Sequence, residues 1–355
     1  MKGVSRIVGD YIDLRDALIR HGARYPEMRP RDAVKLIYQN EFGPGHLLGE
    51  CAWMRLNQEL ADVPLDPNLP LCEGIGGGMS RVMISAWKQR QWSGETLYQS
   101  FAESAQHQGE KDVFLEKLNV LRQVCCEQSF YFTHAEMERY LSEYIAADCP
   151  VVSHSEEYRR AYQPAYRVVR NHCLIHAMIE EKRREKVRVI VAIDGRCASG
   201  KSTLAKQLEE NYGWPVVHMD DFFLRPEQRT SERYAQPGGN IDYERFSAEV
   251  LAPCSRGERV CYRPFDCHTM TLSDPVALPD SPVVIVEGSY SCHPALREFY
   301  DLKIFLSVEP RTQMERIIAR EGEPYAQVFR QKWIPLEEAY FAAYDVEHGC
   351  DICFS

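Results

Sequence analysis

Two kinds of hydrophobic spacing divide the chain. In residues 1–150, apolar positions recur at intervals of three and four, as in Leu14 and Leu18 and then Val34, Ile37 and Tyr38. This is the period of amphipathic helices. Pro30 suits the first turn, and Gly43 the stop, of a helix over 31–42. Further helices are predicted over 46–61, 94–107 and 111–126. Thr133 with Glu136 forms a capping box opening a helix that runs to about Ala147. Gly74, Gly76, Gly77 and Gly78 read as a flexible loop before a strand-like run, Arg81–Ala86. Residues 151–186 read as a helical connector: Pro164 marks a break, and a long helix from Ala165 to Lys186 follows, its basic end solvated.

From Val187 the pattern changes to short apolar runs alternating with helical stretches. Val187–Ile193, Val216–Met219, Val283–Val286 and Leu302–Val308 have the continuous hydrophobicity of buried parallel strands. Helices are predicted between them over 201–212, 243–252 and 311–320. The expectation is an α/β protein. Residues 187–355 form a doubly wound parallel-sheet domain, and residues 1–150 form a mainly helical domain of unassigned role.

Composition adds boundaries. The chain has 355 residues, 45% of them hydrophobic and 26% charged, which is the balance of a globular protein with two cores. A net charge of −10, with neither half basic, argues against a nucleic-acid binder. No apolar run is long enough for a membrane span, and the start, MKGVSRIVGDYIDLRD, lacks a signal-type apolar core. The 13 irregularly spaced cysteines then read as reduced thiols of a cytoplasmic protein.

The strongest chemical signal is Gly195-Arg196-Cys197-Ala198-Ser199-Gly200-Lys201-Ser202-Thr203, which fits G-x-x-x-x-G-K-[ST] between a strand and a helix. Such a loop curls its backbone N–H groups around phosphate oxygens and points a helix N-terminus at them. Gly195, Ala198, Ser199, Gly200, Lys201, Ser202 and Thr203 are therefore the expected nucleotide-binding residues. Lys201 is placed to reach the β- and γ-phosphates, and the Ser202 hydroxyl to join a Mg²⁺ shell. Asp220 and Asp221 follow the run Val216–Met219. That strand is expected to lie beside the phosphate-loop strand, with its carboxylates at the sheet edge where ligands gather. Asp220 and Lys201 are the expected catalytic residues, Asp220 orienting a hydroxyl towards a γ-phosphate. Glu287, ending the run Val283–Val286, is a candidate for Mg²⁺. Arg311, Arg316 and Arg320 share a helix and could offset phosphoryl charge.

The second half resembles the uridine kinase branch of P-loop small-molecule kinases. The resemblance rests on IDGRCASGKSTLA, Asp220-Asp221-Phe222-Phe223, Asn240-Ile241-Asp242, Tyr262-Arg263-Pro264-Phe265-Asp266, the strand ending at Glu287-Gly288, the arginine helix, and Trp333-Ile334-Pro335-Leu336-Glu337 with Tyr340. It covers residues 187–355. It implies ATP-dependent phosphorylation of a primary hydroxyl on a nucleoside or similar small alcohol, with Asp220 as base and Mg²⁺ as the metal. It also implies that Asp242 binds acceptor hydroxyls, with Arg263, Asp266 and His268 on the acceptor side, and that Arg316 and Arg320 contact phosphate from a lid. The chain departs from the family in three places. Phe265-Asp266-Cys267-His268 sets the histidine two residues early, Gly322-Glu323-Pro324 replaces an Arg-Gly-Arg lid element, and Arg196 puts a large cation in the loop.

Some readings stay open. The P-loop half could instead be a nucleotide-controlled switch whose N-terminal domain binds a protein partner. Cys197 sits where a helix end can lower a thiol pKa, so its oxidation could block the nucleotide. Gln39-Asn40-Glu41-Phe42-Gly43-Pro44-Gly45-His46 and the Gly74–Ser80 loop with Arg81 are polar clusters that could form an acceptor pocket or small-ligand sensor. His172 and His176 share a helix face, but two ligands do not make a zinc site and no third is evident nearby in sequence. Cys350-Asp351-Ile352-Cys353 reads as a last strand. The sequence leaves the oligomeric state and the acceptor unspecified.

Overall fold

The computed structural model describes residues 11–127 and 130–354. The expectation drawn from the first ten residues lies outside them. The chain divides into two compact units, one ending at Met178 and one running from Ile179 to Ser355. Among the described residues no helix is long and apolar enough to cross a membrane.

In the first unit the predicted helices form at Ile12–Arg24, Pro30–Phe42, Ala52–Asp62, Gly94–Ser104, Lys111–Glu127 and His134–Ala146. Pro30 occupies the first turn of its helix and Gly43, at φ 61°, ends it. The Thr133/Glu136 capping box is present. Leu14, Leu18, Val34, Ile37, Phe114, Leu118 and Leu141 meet in one core.

Two sequence readings in this unit are corrected. The glycine-rich segment is no loop: Cys72–Gly76 (β1) pairs antiparallel with Met79–Met83 (β2), and Gly77 and Gly78 make the turn. Gly76 has φ 83°, and a Cβ there would lie 2.8 Å from the Leu14 amide, so the close approach of the helix excludes a side chain. The run from Ala165 does not begin a helix. Tyr166–Arg170 (β3) extends the sheet by pairing with β2, and the helix starts at Asn171 and ends at Arg183. The β-branched pair Val168-Val169, both fully buried, suits a strand on a covered sheet better than a solvated connector.

The second unit is built on a five-stranded sheet of Val189–Gly195 (β4), Val216–His218 (β5), Val283–Glu287 (β6), Leu302–Leu306 (β7) and Ile352–Phe354 (β8). All pairings are parallel and the order is β8-β7-β4-β6-β5. The prediction that β5 neighbours the phosphate-loop strand is therefore wrong, because β6 separates them. β6 is buried along its whole length, as its unbroken Val-Val-Ile-Val requires of a central strand. The strands still end at one edge, since Glu287 is in register with Ile193 on one side and His218 on the other. Ile190, Ala192, Val217, Val284, Val286 and Phe305 share a core with Phe246, Val250, Tyr340 and Phe341. The helix Lys201–Tyr212 packs against β4, β5 and β6, with Leu204, Ala205 and Leu208 buried.

Candidate active site

The loop after β4 has the curl that its sequence predicts. Gly195 has φ 135°, and a Cβ there would stand 2.1 Å from the Leu306 carbonyl oxygen, so only glycine lets β4 run this close to β7. Ala198, at φ 58°, takes a left-handed conformation that costs a side-chain-bearing residue on the order of 1 kcal/mol. Gly200 follows at φ 99°, and the helix Lys201–Tyr212 opens with no side-chain cap, which leaves its positive end to the loop. Lys201 is buried, and its Nζ donates across the curl to the carbonyls of Gly195 (2.8 Å) and Arg196 (2.9 Å).

The strand order decides the electrostatics. Because β6 stands between β4 and β5, Glu287 at its end meets the first turn of the loop helix. Ser202 Oγ lies 3.2 and 3.3 Å from its two oxygens, and His218 Nδ1 lies 2.6 Å from Oε1. Asp220 follows in the turn Met219–Phe222. Its side chain opens to solvent, yet the protein around it strips enough water to raise its pKa, with the Glu287 charge adding to the effect. Asp221 is also raised by burial, although Tyr262 donates to its Oδ2 at 3.1 Å. Ser202, Glu287 and Asp220 supply hard oxygen atoms in a partly desolvated, acid-rich pocket. This donor set fits Mg²⁺, and Ser202 and Glu287 are the residues that could hold it.

The phosphate loop is braced by residues to which the sequence reading gave no role. Asp194, fully buried, accepts four hydrogen bonds: from the Gly195 amide (2.7 Å), the Tyr290 amide (3.1 Å), the Cys292 amide (2.8 Å) and the Tyr340 hydroxyl (2.8 Å). Desolvation nonetheless pushes its pKa up to about 6. Glu337 accepts from the Cys197 amide at 2.9 Å and from Ser289 Oγ at 2.6 Å. These carboxylates tie the loop to the turn after β6 and to the helix Ile334–Tyr344. The signal for Glu337 lay in the Trp-Ile-Pro-Leu-Glu segment, but the pairing is with a backbone amide, which no side-chain pattern reveals.

Two loop residues behave differently from expectation. Arg196 does not place its charge inside the curl. Its guanidinium pairs with Glu338 (2.7 Å) and Glu347 (3.2 Å), donates to Ser307 Oγ, and lies 5.5 Å from the ring centroids of Phe305 and Phe341. The Cys197 thiol is not activated. Burial and then the Glu337 charge push it up to about 12, and Gln313 Nε2 donates to its Sγ at 3.1 Å.

Of the helix arginines, Arg316 reaches the loop and donates to the Ala198 carbonyl at 2.8 Å, whereas Arg320 pairs with Glu321 on the exposed surface. Asp242 is buried. It caps the helix Tyr243–Phe246 through the Arg245 amide (3.1 Å) and accepts from Gln228 Nε2 at 2.9 Å. A bridge between Phe223 and Ile241 ties the Asp242 segment to the Asp220 turn. Arg263, Asp266 and His268 belong to a small hairpin, Phe265–Asp266 against Thr271–Leu272, that packs on the Met219–Phe222 turn. Within it, Arg263 donates to the Leu272 and Ser273 carbonyls, and Asp266 accepts from the His268 amide at 2.7 Å.

In the first unit, the two polar clusters meet. Arg81 is fully buried and donates to Gln39 Oε1 through Nε (3.0 Å) and NH2 (2.8 Å), and its guanidinium lies 4.7 Å from the Tyr166 ring centroid. The guanidinium is also 3.0 Å from His21 Nε2, so that nitrogen accepts. Asn40 and Glu41 instead hold the ammonium of Lys117, each at 2.6 Å, while His46 is exposed.

Comparison with known proteins places this geometry in context. No family model matches the chain, and no curated protein matches it. Among solved structures, the chain is similar to P-loop kinases over about half its length. A protein described as a possible uridine kinase from Bacillus stearothermophilus is 22% identical, with a TM-score of 0.38, over 51% of this chain and 99% of that one. A protein provisionally described as a fructose transport system kinase, from Silicibacter sp. TM1040, is 24% identical over 51% of this chain and 98% of that one, with a TM-score of 0.41. D-glycerate 3-kinase from Cryptococcus neoformans var. grubii is 16% identical over 47% and 86%, with a TM-score of 0.36.

Proposed function

We propose that the second unit is an ATP- and Mg²⁺-dependent phosphotransferase acting on a hydroxyl of a small molecule, a nucleoside or similar polyol-like alcohol. The observation that carries this reading is the line formed at one sheet edge by Lys201, Ser202, Glu287 and Asp220. A loop ammonium and an uncapped helix N-terminus stand at one end of it, and a carboxylate of raised pKa stands at the other.

The loop amides and Lys201 bind the triphosphate, the ammonium exchanging its carbonyl partners for phosphate oxygens. Ser202 and Glu287 hold the metal, which supplies charge neutralisation on the phosphoryl oxygens when bound. Asp220 accepts a hydrogen bond from the acceptor hydroxyl and aims its oxygen at the γ-phosphorus. The raised pKa makes it a better base than an ordinary surface aspartate. Asp242, beside the Asp220 turn, and the hairpin bearing Arg263, Asp266 and His268 would line the acceptor side. Arg316, beside the loop, is the nearer of the two lid cations to the phosphates, and Arg320 would reach them only after leaving Glu321.

The test is ADP release across a panel of nucleosides, vitamins and sugar alcohols, with Lys201→Ala as the blank. A kinase is stimulated strongly by one class. Asp220→Asn should still bind ATP while turnover falls by about 10²–10⁴-fold. ATP consumption that no alcohol stimulates and Asp220→Asn leaves unchanged would reject the proposal in favour of a switch.

A further inference from the structure

His172 and His176 share a helix face, which alone makes no metal site, and the fold brings two further donors beside them. The helix Asn171–Arg183 carries His172, Cys173 and His176. At 100° per residue the three fall within one 100° arc, so their side chains leave the helix on a common side. Facing them is Glu103, on the last turn of the helix Gly94–Ser104. A Glu103 carboxylate oxygen, a ring nitrogen of His172 and the Cys173 sulfur all lie within 4.8 Å of one another. His176 Nδ1 lies 3.8 Å from Glu103 Oε2. His172 and Cys173 are buried, and Glu103 and His176 are half-buried.

We propose that Glu103, His172, Cys173 and His176 form a binding site for a zinc-type divalent cation. The donor set of one thiolate, two imidazoles and one carboxylate is that of a borderline-soft ion and does not suit Mg²⁺ or Ca²⁺. Tetrahedral zinc with bonds of about 2.0–2.3 Å holds its donor atoms about 3.3–3.8 Å apart. The Glu103, His172 and Cys173 donor atoms lie within 4.8 Å of one another and His176 reaches the cluster through Glu103 at 3.8 Å, so side-chain rotation must draw the donors together by up to about 1.5 Å to reach the tetrahedral span.

The backbone is already fixed where a metal site needs it fixed. Ser104 Oγ, next to Glu103, accepts from the Arg170 amide at 2.9 Å. The Asn171 amide, next to His172, donates to the Gly78 carbonyl at 2.8 Å, and Ser80 Oγ bonds Asn171 Oδ1 at 2.7 Å. The start of one helix and the end of the other are thus pinned to each other and to the β-sheet, so little order remains to be imposed on binding. On binding, the Cys173 thiol gives its proton to solvent and its sulfur electron pair to the metal, and no oxidant is needed. The site joins the helix Gly94–Ser104 to the helix that follows β3, so its role is to lock the first unit. It owes nothing to the phosphotransferase reading.

The experiment uses the full chain, stripped with a chelator and titrated with Co²⁺ or Zn²⁺ in excess Mg²⁺, which saturates the oxygen-rich pocket near Glu287. One equivalent of Co²⁺ should produce a near-ultraviolet thiolate-to-cobalt band. Cys173→Ser should abolish that band, whereas Cys353→Ser, at an exposed position, should leave it intact. Glu103→Gln and His176→Ala, at half-buried positions that tolerate replacement, should each weaken Zn²⁺ binding at least tenfold, with circular dichroism confirming the fold. The absence of a thiolate band, its survival in Cys173→Ser, or Zn²⁺ affinity unchanged in both Glu103→Gln and His176→Ala would overturn the assignment. The last outcome would leave His176 and Glu103 as a plain ion pair.

Discussion

Glu287 and His218 are register partners on neighbouring strands, and their side chains meet at 2.6 Å between Oε1 and Nδ1. The hydrogen bond to Glu287 holds the imidazolium, raising the pKa of His218 above its ordinary 6.5, and the Asp221 and Asp220 charges reinforce the effect against desolvation. The same carboxylate faces Ser202. A proton on His218 and the metal proposed at Ser202 would therefore compete for one group.

This competition gives a pH prediction. A raised histidine pKa means that the pair contributes fully below pH 6.5 and is lost as pH rises through the higher folded value. Loss of that proton frees Glu287 for the metal. The Mg²⁺ concentration for half-maximal turnover should fall as pH rises from about 6 to about 8. His218→Asn should flatten the dependence and leave the remaining activity metal-dependent. Mg²⁺ titrations at fixed ATP across that range check both, and an unchanged slope in the variant rejects the competition.

Arg196 makes a second prediction, against what its position in the loop suggests. Its charge is spent on Glu338 and Glu347, both partly exposed, while its guanidinium packs near Phe305 and Phe341. Arg196→Met should lower stability by about 1 kcal/mol, read as a fall in the denaturation midpoint. The KM for ATP should move less than about threefold, because the effect sits in folding rather than in uniform binding. A large rise in KM with unchanged stability would mean that the guanidinium turns to the phosphates.

How much of this was legible beforehand follows from range. The phosphate loop, its helix and the parallel strands are written in contiguous runs, and Lys201–Tyr212 forms where its periodicity puts it. Asp220 and Glu287 could be singled out because each stands at the end of such a run. The strand order was not legible, since nothing local says that β6 inserts between β4 and β5. Nor was the burial of Asp194 and Glu337 against backbone amides. Tyr166–Arg170 was misread because its β-branched pair Val168-Val169 runs directly into the periodicity of the helix that follows, and its pairing with β2 is a distant relation no local run shows. Glu103 and His176 are 73 positions apart in sequence, so only the fold could join them.

Cys197 yields a prediction of insensitivity. Half-buried, and beside the Glu337 charge, its thiol is pushed up to about 12, so almost none is thiolate at neutral pH. Mild peroxide should leave alcohol-stimulated ATP turnover unchanged, and peptide mapping should show Cys197 unmodified while exposed thiols such as Cys51 and Cys267 react. Inactivation in step with Cys197 oxidation would contradict the burial seen here.

The first unit should lose stability in mild acid. His154 Nδ1 lies 2.9 Å from Asp32 Oδ1 and its Nε2 lies 2.6 Å from the Tyr166 hydroxyl. Burial lowers its pKa to about 4, so the ring is neutral, donating to Asp32 and accepting from Tyr166. Burial and the Arg81 charge also push His21 well down, as its role of acceptor from Arg81 requires. Unfolding lets both rings take a proton near pH 6.5, whereas the folded unit refuses one until near pH 4 in the case of His154. The unfolded state therefore binds more protons across that window, and stability falls as pH falls through it. The His154 contribution amounts to at most about 3 kcal/mol. Denaturant titrations followed by the Trp87 region of the first unit should show the midpoint dropping between pH 6.5 and 4. In His154→Gln the drop should shrink, since an amide can donate to Asp32 and never titrates. A variant with lower stability at neutral pH but the full acid loss would show that other groups carry the proton uptake.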